Sequence, residues 1–243
     1  MFFYVYALEK KECKDGFLGI LWWVIDPLIY MVAFYAIFAL GLRGKGTEFA
    51  PFLLCGLVPW KWFASSINRA TVSIKKNSQL IKQVYLPKYV FPSVEIVRGG
   101  FKFLISFFVL VLFLFFYKGC LIDLFYIVPV FIAQMFFIFS LGMLLSSFYP
   151  FLPDIKLVVE NMIMFLFFVS GIFFDIDKFS PEVRQIFMLN PMAILIKAFR
   201  RVLLDNDFPD VGQLLYVFLL SLILFIAALC ILKRFDRFYS KIV

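Results

Sequence analysis

Residues 124–149 run for 26 positions without a single charged side chain, interrupted only by Pro129 and Gln134. About 20 apolar residues suffice to cross the hydrocarbon core of a bilayer as a helix. In that medium each backbone N–H and C=O must be satisfied within the segment, so a run of this kind is forced towards helix. Similar blocks recur along the chain, and the spans are expected near residues 19–42, 52–74, 101–117, 124–149, 157–174 and 214–232. The fold class that follows is an all-α integral membrane protein with six transmembrane helices, forming a single transmembrane domain over residues 1–243. Hydrophobic residues make up 64% of the chain and charged ones 16%. That balance lies outside the range of soluble globular domains and leaves room for short loops only.

Orientation comes from charge. Residues 69–102 carry Arg69, Lys75, Lys76, Lys82, Lys88, Arg98 and Lys102 against one acid, Glu95. Residues 175–212 carry five bases against six acids. Basic loops are retained in the cytoplasm, so the first stretch is placed inside and the second outside. Lys233, Arg234, Arg237 and Lys241 then anchor the far end inside, and both termini are expected to be cytoplasmic. The net charge of +8 is explained by this asymmetry and by anionic headgroups, with no nucleic-acid partner. The opening residues carry their charges after the apolar octet, so no cleavable signal peptide is expected.

Between the spans, four local patterns stand out. Residues 1–17, with an aromatic front and a charged back, are expected to lie in the membrane plane as an interfacial helix. The second span has two readings, one centred on hydropathy and one in which Pro59 starts a helix running past Ile74 through Ser65, Ser66, Asn68 and Arg69. Within the basic connection at 75–92, Leu80, Ile81 and Val84 share one face of a short helix that stops at Pro87. That stripe fits either lipid headgroups or a groove on a soluble partner. Finally, two helical patterns flank Asn190-Pro191 within residues 178–204, as in a re-entrant pair dipping from the outer face.

Catalytic and metal chemistry is poorly provided for. The chain has no histidine, and Cys13, Cys55, Cys120 and Cys230 lack metal-ligand spacing. Gly41, Gly44 and Gly46 around Lys45 do not follow the order of a phosphate-binding loop. ATP chemistry is therefore not expected on this chain. Aromatic residues are abundant, and a subset of them, drawn from Trp22, Tyr30, Phe34, Tyr35, Trp60, Trp62, Phe165 and Phe168, is expected to line a path, the others packing in the core or facing lipid.

Three motifs taken together point to a family. Leu18-Gly19-Ile20-Leu21-Trp22 is followed by Pro27-Leu28, and Gly56-Leu57-Val58-Pro59-Trp60-Lys61-Trp62-Phe63 leads into Ser73-Ile74-Lys75-Lys76-Asn77-Ser78-Gln79-Leu80-Ile81-Lys82-Gln83-Val84-Tyr85-Leu86-Pro87. Asn190-Pro191 follows in the last outer segment. Their order and spacing resemble the permease subunits of type-2 ABC exporters for O-antigen, capsule and teichoic-acid polymers. The resemblance implies a homodimer of this chain in the cytoplasmic membrane, two copies of a separate nucleotide-binding ATPase subunit that carry the ATP and Mg, and a lipid-linked glycan as substrate. It further implies that Asn77, Leu80, Ile81, Lys82, Val84, Tyr85 and Leu86 form the cytoplasmic coupling helix between spans two and three. The re-entrant pair, with Asn190, Pro191 and Arg200, would be the outer gate. A drug or small-lipid exporter of the same type is the alternative within the family. An ion-coupled secondary transporter or a membrane glycosyl- or acyltransferase is the alternative outside it.

Overall fold

The computed structural model describes residues 49–83, 86–118, 123–236 and 238–239, together with Ile25, Ile29 and Val32, which are helical. The interfacial helix expected at 1–17, most of the span expected at 19–42, and Trp22, Tyr30, Phe34, Tyr35, Val84 and Tyr85 lie outside the described residues. Among the described residues every regular element is helical: α1 Phe49–Lys76, α2 Ser78–Gln83, α3 Val90–Lys118, α4 Ile127–Phe148, α5 Ile155–Val169, α6 Pro181–Phe187, α7 Pro191–Asp205 and α8 Val211–Arg234. Short 3-10 turns at Leu124–Tyr126 and Ile176–Lys178 lead into α4 and towards α6.

Three of these helices, α3, α4 and α8, are long and apolar enough to cross a membrane. At about 1.5 Å per residue, the 15 residues of α5 reach about 22 Å, short of a typical hydrocarbon core. Helix α1 has the length, 28 residues, but contains Lys61, Arg69, Lys75 and Lys76. It packs between α3 and α4, while α8 lies against α4, so α1 is the inner member of the bundle and α8 an outer one. The buried hydroxyls of this polar helix are satisfied in part: Ser66 Oγ has no hydrogen-bond partner among the described residues, whereas two others bond within the helix. Thr71 donates to the Ile67 carbonyl at 2.8 Å and Ser73 to the Ala70 carbonyl at 2.7 Å, both within the helix itself.

The two readings of the second span merge here into one helix that passes through Pro59. Proline lacks the N–H that would close the preceding turn. The neighbouring helix α4 meets α1 at this point, where the buried Gln134 amide donates to the Pro59 carbonyl at 2.8 Å. Helix α3 begins at Val90, earlier than the apolar run that starts at 101, because its first turns pair their charges internally. Arg98 Nη1 lies 3.2 and 3.4 Å from the two Glu95 oxygens, and both side chains are buried. Gly99 lets α3 close on α1, since a Cβ there would collide with the Ser66 hydroxyl.

Two apolar clusters hold the bundle. The larger fills the middle and outer part between α1, α3, α4 and α7. The smaller sits at the other end, where Ile74, Ile81, Phe91, Met143, Ala228, Leu232 and Tyr239 meet. The basic residues of the α1–α3 connection lie at that second end, the one the charge rule leads one to expect on the cytoplasmic side.

Candidate functional site

The outer end is organised by a break after α5. Ser170 caps the helix through its N–H to the Leu166 carbonyl at 2.9 Å, and Gly171 follows at φ +73°. A side chain at 171 would be strained by that backbone, and its Cβ would lie 2.7 Å from Ile176 Cδ1. The turn leaves the Gly171 and Ile172 carbonyls pointing away from their own helix. Arg200, on α7, collects both: Nη1 donates to the Gly171 carbonyl at 2.6 Å and Nη2 to the Ile172 carbonyl at 2.7 Å. Its Nε donates to the Phe52 carbonyl at 3.0 Å, at the start of α1, and its guanidinium carbon lies 3.4 Å from the centre of the Phe52 ring. One buried guanidinium therefore joins three chain segments. The fit depends on Gly56, whose Cβ would approach Arg200 Nη2 to 2.8 Å.

Asn190 and Pro191 complete the outer assembly. Asn190 is the N-cap of α7, accepting from the Met192 N–H at 3.0 Å, and Pro191 occupies the first helical position. The Asn190 amide also donates to the Ser170 hydroxyl at 2.9 Å, so both ends of the α5 break are tied to α7. Two of the three residues expected at the outer gate, Asn190 and Arg200, thus bond the stretch from Ser170 to Ile172, and Pro191 begins the helix that carries Arg200. Beside it lies a cavity of about 460 Å³ lined by Asp175, Asp177, Arg184, Lys197, Arg201 and Asp207, among others. Asp177 bridges its walls, 2.6 Å from Lys197 and 2.9 Å from Arg184. At the far end of α7, Asn206 adopts a left-handed conformation and its side chain accepts from the Asp123 N–H at 2.8 Å. That contact fixes the helix pair to the α3–α4 connection.

At the cytoplasmic end, the residues expected to couple to a partner divide. Ile81 is 5% exposed and sits in the inner cluster, with Leu80 and Leu86 packed against it. Asn77 donates to the Ser73 carbonyl at 2.7 Å and so continues the end of α1 into α2. The outward surface consists of Lys75, Lys76, Gln79, Lys82 and Gln83. The described part of the apolar stripe, Leu80 and Ile81, is thus turned towards the bundle, and the described part of the exposed face is polar and cationic. Tyr239 closes the same cluster from the C-terminal side, and burial, with Asp236 nearby, pushes its phenol well above the ordinary range.

The aromatics divide as well. Trp62 is stacked between Phe103 at 4.2 Å and Phe131 at 5.2 Å, and Trp60 packs on Phe63 and Phe167. Both tryptophans are enclosed by this chain's own core. Phe165 and Phe168, 58% and 55% exposed, lie on the open face of α5 with Met162 and Met164. These four channel candidates are therefore not brought onto one surface within the chain. Sequence reasoning missed Phe52, Ser170, Gly171 and Gln134, each of which acts through the backbone or for a distant backbone group. Gly171, a lone glycine between Ser170 and three bulky residues, was the one available signal.

Comparison with known proteins places this geometry. The family model for the ABC-2 type transporter matches residues 10–204, a stretch that includes α1 to α7 and hence both the Arg200 assembly and α2. Two O-antigen export system permease proteins RfbA of Klebsiella pneumoniae are each 29% identical to the chain, over 235 and 236 residues, covering 96% of it and 90% of their own length. The O-antigen export system permease protein RfbA of Myxococcus xanthus is 25% identical over 237 residues, covering 96% of this chain and 91% of its own. The chain, a helical bundle matched by the family model over residues 10–204, belongs to the ABC-2 type transporter membrane family.

Proposed function

We propose that the chain is the permease subunit of an ATP-driven exporter that carries a lipid-linked polysaccharide outward across the cytoplasmic membrane. The observation that carries this reading is the near full-length similarity to three O-antigen export permeases. The bundle supports it, because the features on which such a machine depends sit at its opposite ends. Helix α2 presents Gln79, Lys82 and Gln83 to the cytoplasm, where a separate ATPase subunit docks. Two copies of this chain pair around a path for the polymer, and the exposed faces of α5 that carry Phe165 and Phe168 lie along it. The α6–α7 pair, held at Asn190, Pro191 and Arg200, closes the outer end. ATP and Mg are held by the ATPase subunits, and the chain needs no cofactor of its own.

The test is affinity purification of the tagged chain in mild detergent with its ATPase. Wild type retains the ATPase, and Lys82→Glu combined with Gln79→Glu loses it while leaving thermal stability within about 0.5 kcal/mol of wild type, since both side chains are exposed. Retention of the ATPase by this variant removes α2 from the docking surface. Failure of the wild-type chain to retain any ATPase removes the exporter reading.

A further inference from the structure

The support beneath α2 does not come from neighbouring spans alone. Beyond α8, Phe235, Asp236, Phe238 and Tyr239 make a terminal turn, closed by the Phe238 and Tyr239 N–H groups on the Phe235 carbonyl and packed on the inner cluster. Tyr239 is 0% exposed and shares the inner cluster with Ile74, Ile81 and Phe91. Its hydroxyl donates to the Ser147 carbonyl at 2.8 Å. Ser147 stands in the last turn of α4, where carbonyls have no intrahelical donor, so this bond closes the end of that helix. The Phe151 ring, in the turn between α4 and α5, lies 5.2 Å from Tyr239 and 5.4 Å from Phe235. On the other side, the Asp236 carboxylate is 3.9 Å from Lys88 Nζ, whose side chain is almost fully buried and which donates to the Leu86 carbonyl at 3.2 Å. The turn thus touches the end of α4, the α4–α5 connection and the stretch that follows α2, and it is covalently part of α8.

We propose that the turn of Phe235, Asp236, Phe238 and Tyr239 is a brace that couples α2 to α4 and α8, with Tyr239 and Asp236 as positioning residues for transport. The inference rests on the reading of α2 as the ATPase contact. Close-packed interiors yield little under load, so a displacement imposed on α2 is passed through Ile81 to Tyr239 and on to the inner ends of both helices. The Lys88–Asp236 pair keeps the chain after α2 in register with the turn. A bundle without the brace still docks the ATPase through the exposed face of α2, but the stroke is absorbed at the α1–α3 connection. The segment lies beyond the residues matched by the family model, which end at 204.

Two readouts separate coupling from folding. Complexes of the full chain with its ATPase subunit are assayed for ATP hydrolysis in lipid nanodiscs. The cell's own polymer is measured at the surface of cells in which each variant replaces the wild-type chain, both readouts being normalised to membrane-inserted protein. Tyr239→Ala keeps ATPase binding and hydrolysis within about twofold while polymer exported falls by about tenfold, the scale of a typical coupling between sites. Tyr239→Phe, which keeps the ring and loses the Ser147 bond, falls in between. Lys88→Asp loses export, and Lys88→Asp combined with Asp236→Lys regains it, a rescue that general damage to the fold does not produce. Intact ATPase binding with an unchanged ratio of export to hydrolysis in Tyr239→Ala, or no regain in the double variant, overturns the brace alone. Absence of ATPase binding by wild type overturns the underlying reading and the brace with it.

Discussion

The two ends of the bundle are held by opposite kinds of force. At the outer end a single cation, Arg200, is buried and satisfied by three backbone carbonyls from two other segments, Phe52 and the Gly171–Ile172 pair. At the cytoplasmic end, Ile74, Ile81, Phe91, Met143 and Tyr239 form a cluster made mostly of apolar contacts, with an ion pair and one long-range hydrogen bond at its edge. Hydrogen bonds to fixed carbonyls are directional and lose most of their value over a fraction of an ångström. Apolar contacts are individually weak and without direction, so a close-packed cluster can shift as a unit and pass the displacement on. A latch that is either closed or broken suits a gate, and a packed joint that shifts without breaking suits the end that receives a stroke.

Substitution separates these two mechanisms. The largest effect is expected at Arg200. Arg200→Ala strands three carbonyls in a buried place and costs on the order of 3–5 kcal/mol, read as loss of assembled protein or a lowered unfolding midpoint in micelles. Arg200→Lys recovers little, because an ammonium on a single stem does not reproduce the guanidinium fork. Ile81→Ala comes next, at about 2–3 kcal/mol from the cavity it leaves, but there the conservative change Ile81→Leu stays within about 1.5 kcal/mol. A conservative change tolerated outside and damaging inside would invert the comparison.

Smaller effects sharpen the outer end. Gly171→Ala is expected to cost about 1–2 kcal/mol, through the φ of +73° and the contact with Ile176, by chemical denaturation in micelles. Asn190→Ala removes the α7 cap and the bond to Ser170 and costs about 1 kcal/mol. Asn190→Asp keeps the cap acceptor but not the donor to Ser170. Comparing the melting temperatures of these two variants divides the cost between capping and the tie to α5.

How far the sequence revealed this depended on the range of the physics involved. The apolar runs of α4 and α8 were legible because lipid solvation acts on each residue separately. Asn190-Pro191 was legible because a cap and a first-turn proline are local signals. Arg200 could be singled out, yet its acceptors could not, since backbone carbonyls carry no side-chain signature and lie on distant segments. The continuity of α1 was hidden because Pro59 reads locally as a helix start, while the polar contact that ties this part of α1 to its neighbour, from the Gln134 amide to the Pro59 carbonyl, comes from another helix. In α2 the amphipathic stripe was readable, but periodicity says which residues share a face and not which way that face turns. Ile81 faces the bundle because Phe91, Leu232 and Tyr239 wait there, and none of these is close to it in sequence.

The central claim is that the chain moves a lipid-linked polysaccharide outward. Its most direct test is to delete the chain from the cells that make it and measure the polymer on both sides of the cytoplasmic membrane. The account predicts that surface polymer disappears while lipid-linked polymer accumulates on the cytoplasmic side, and that re-expression of the chain reverses both. Undiminished polymer at the surface, with no accumulation inside, would contradict it.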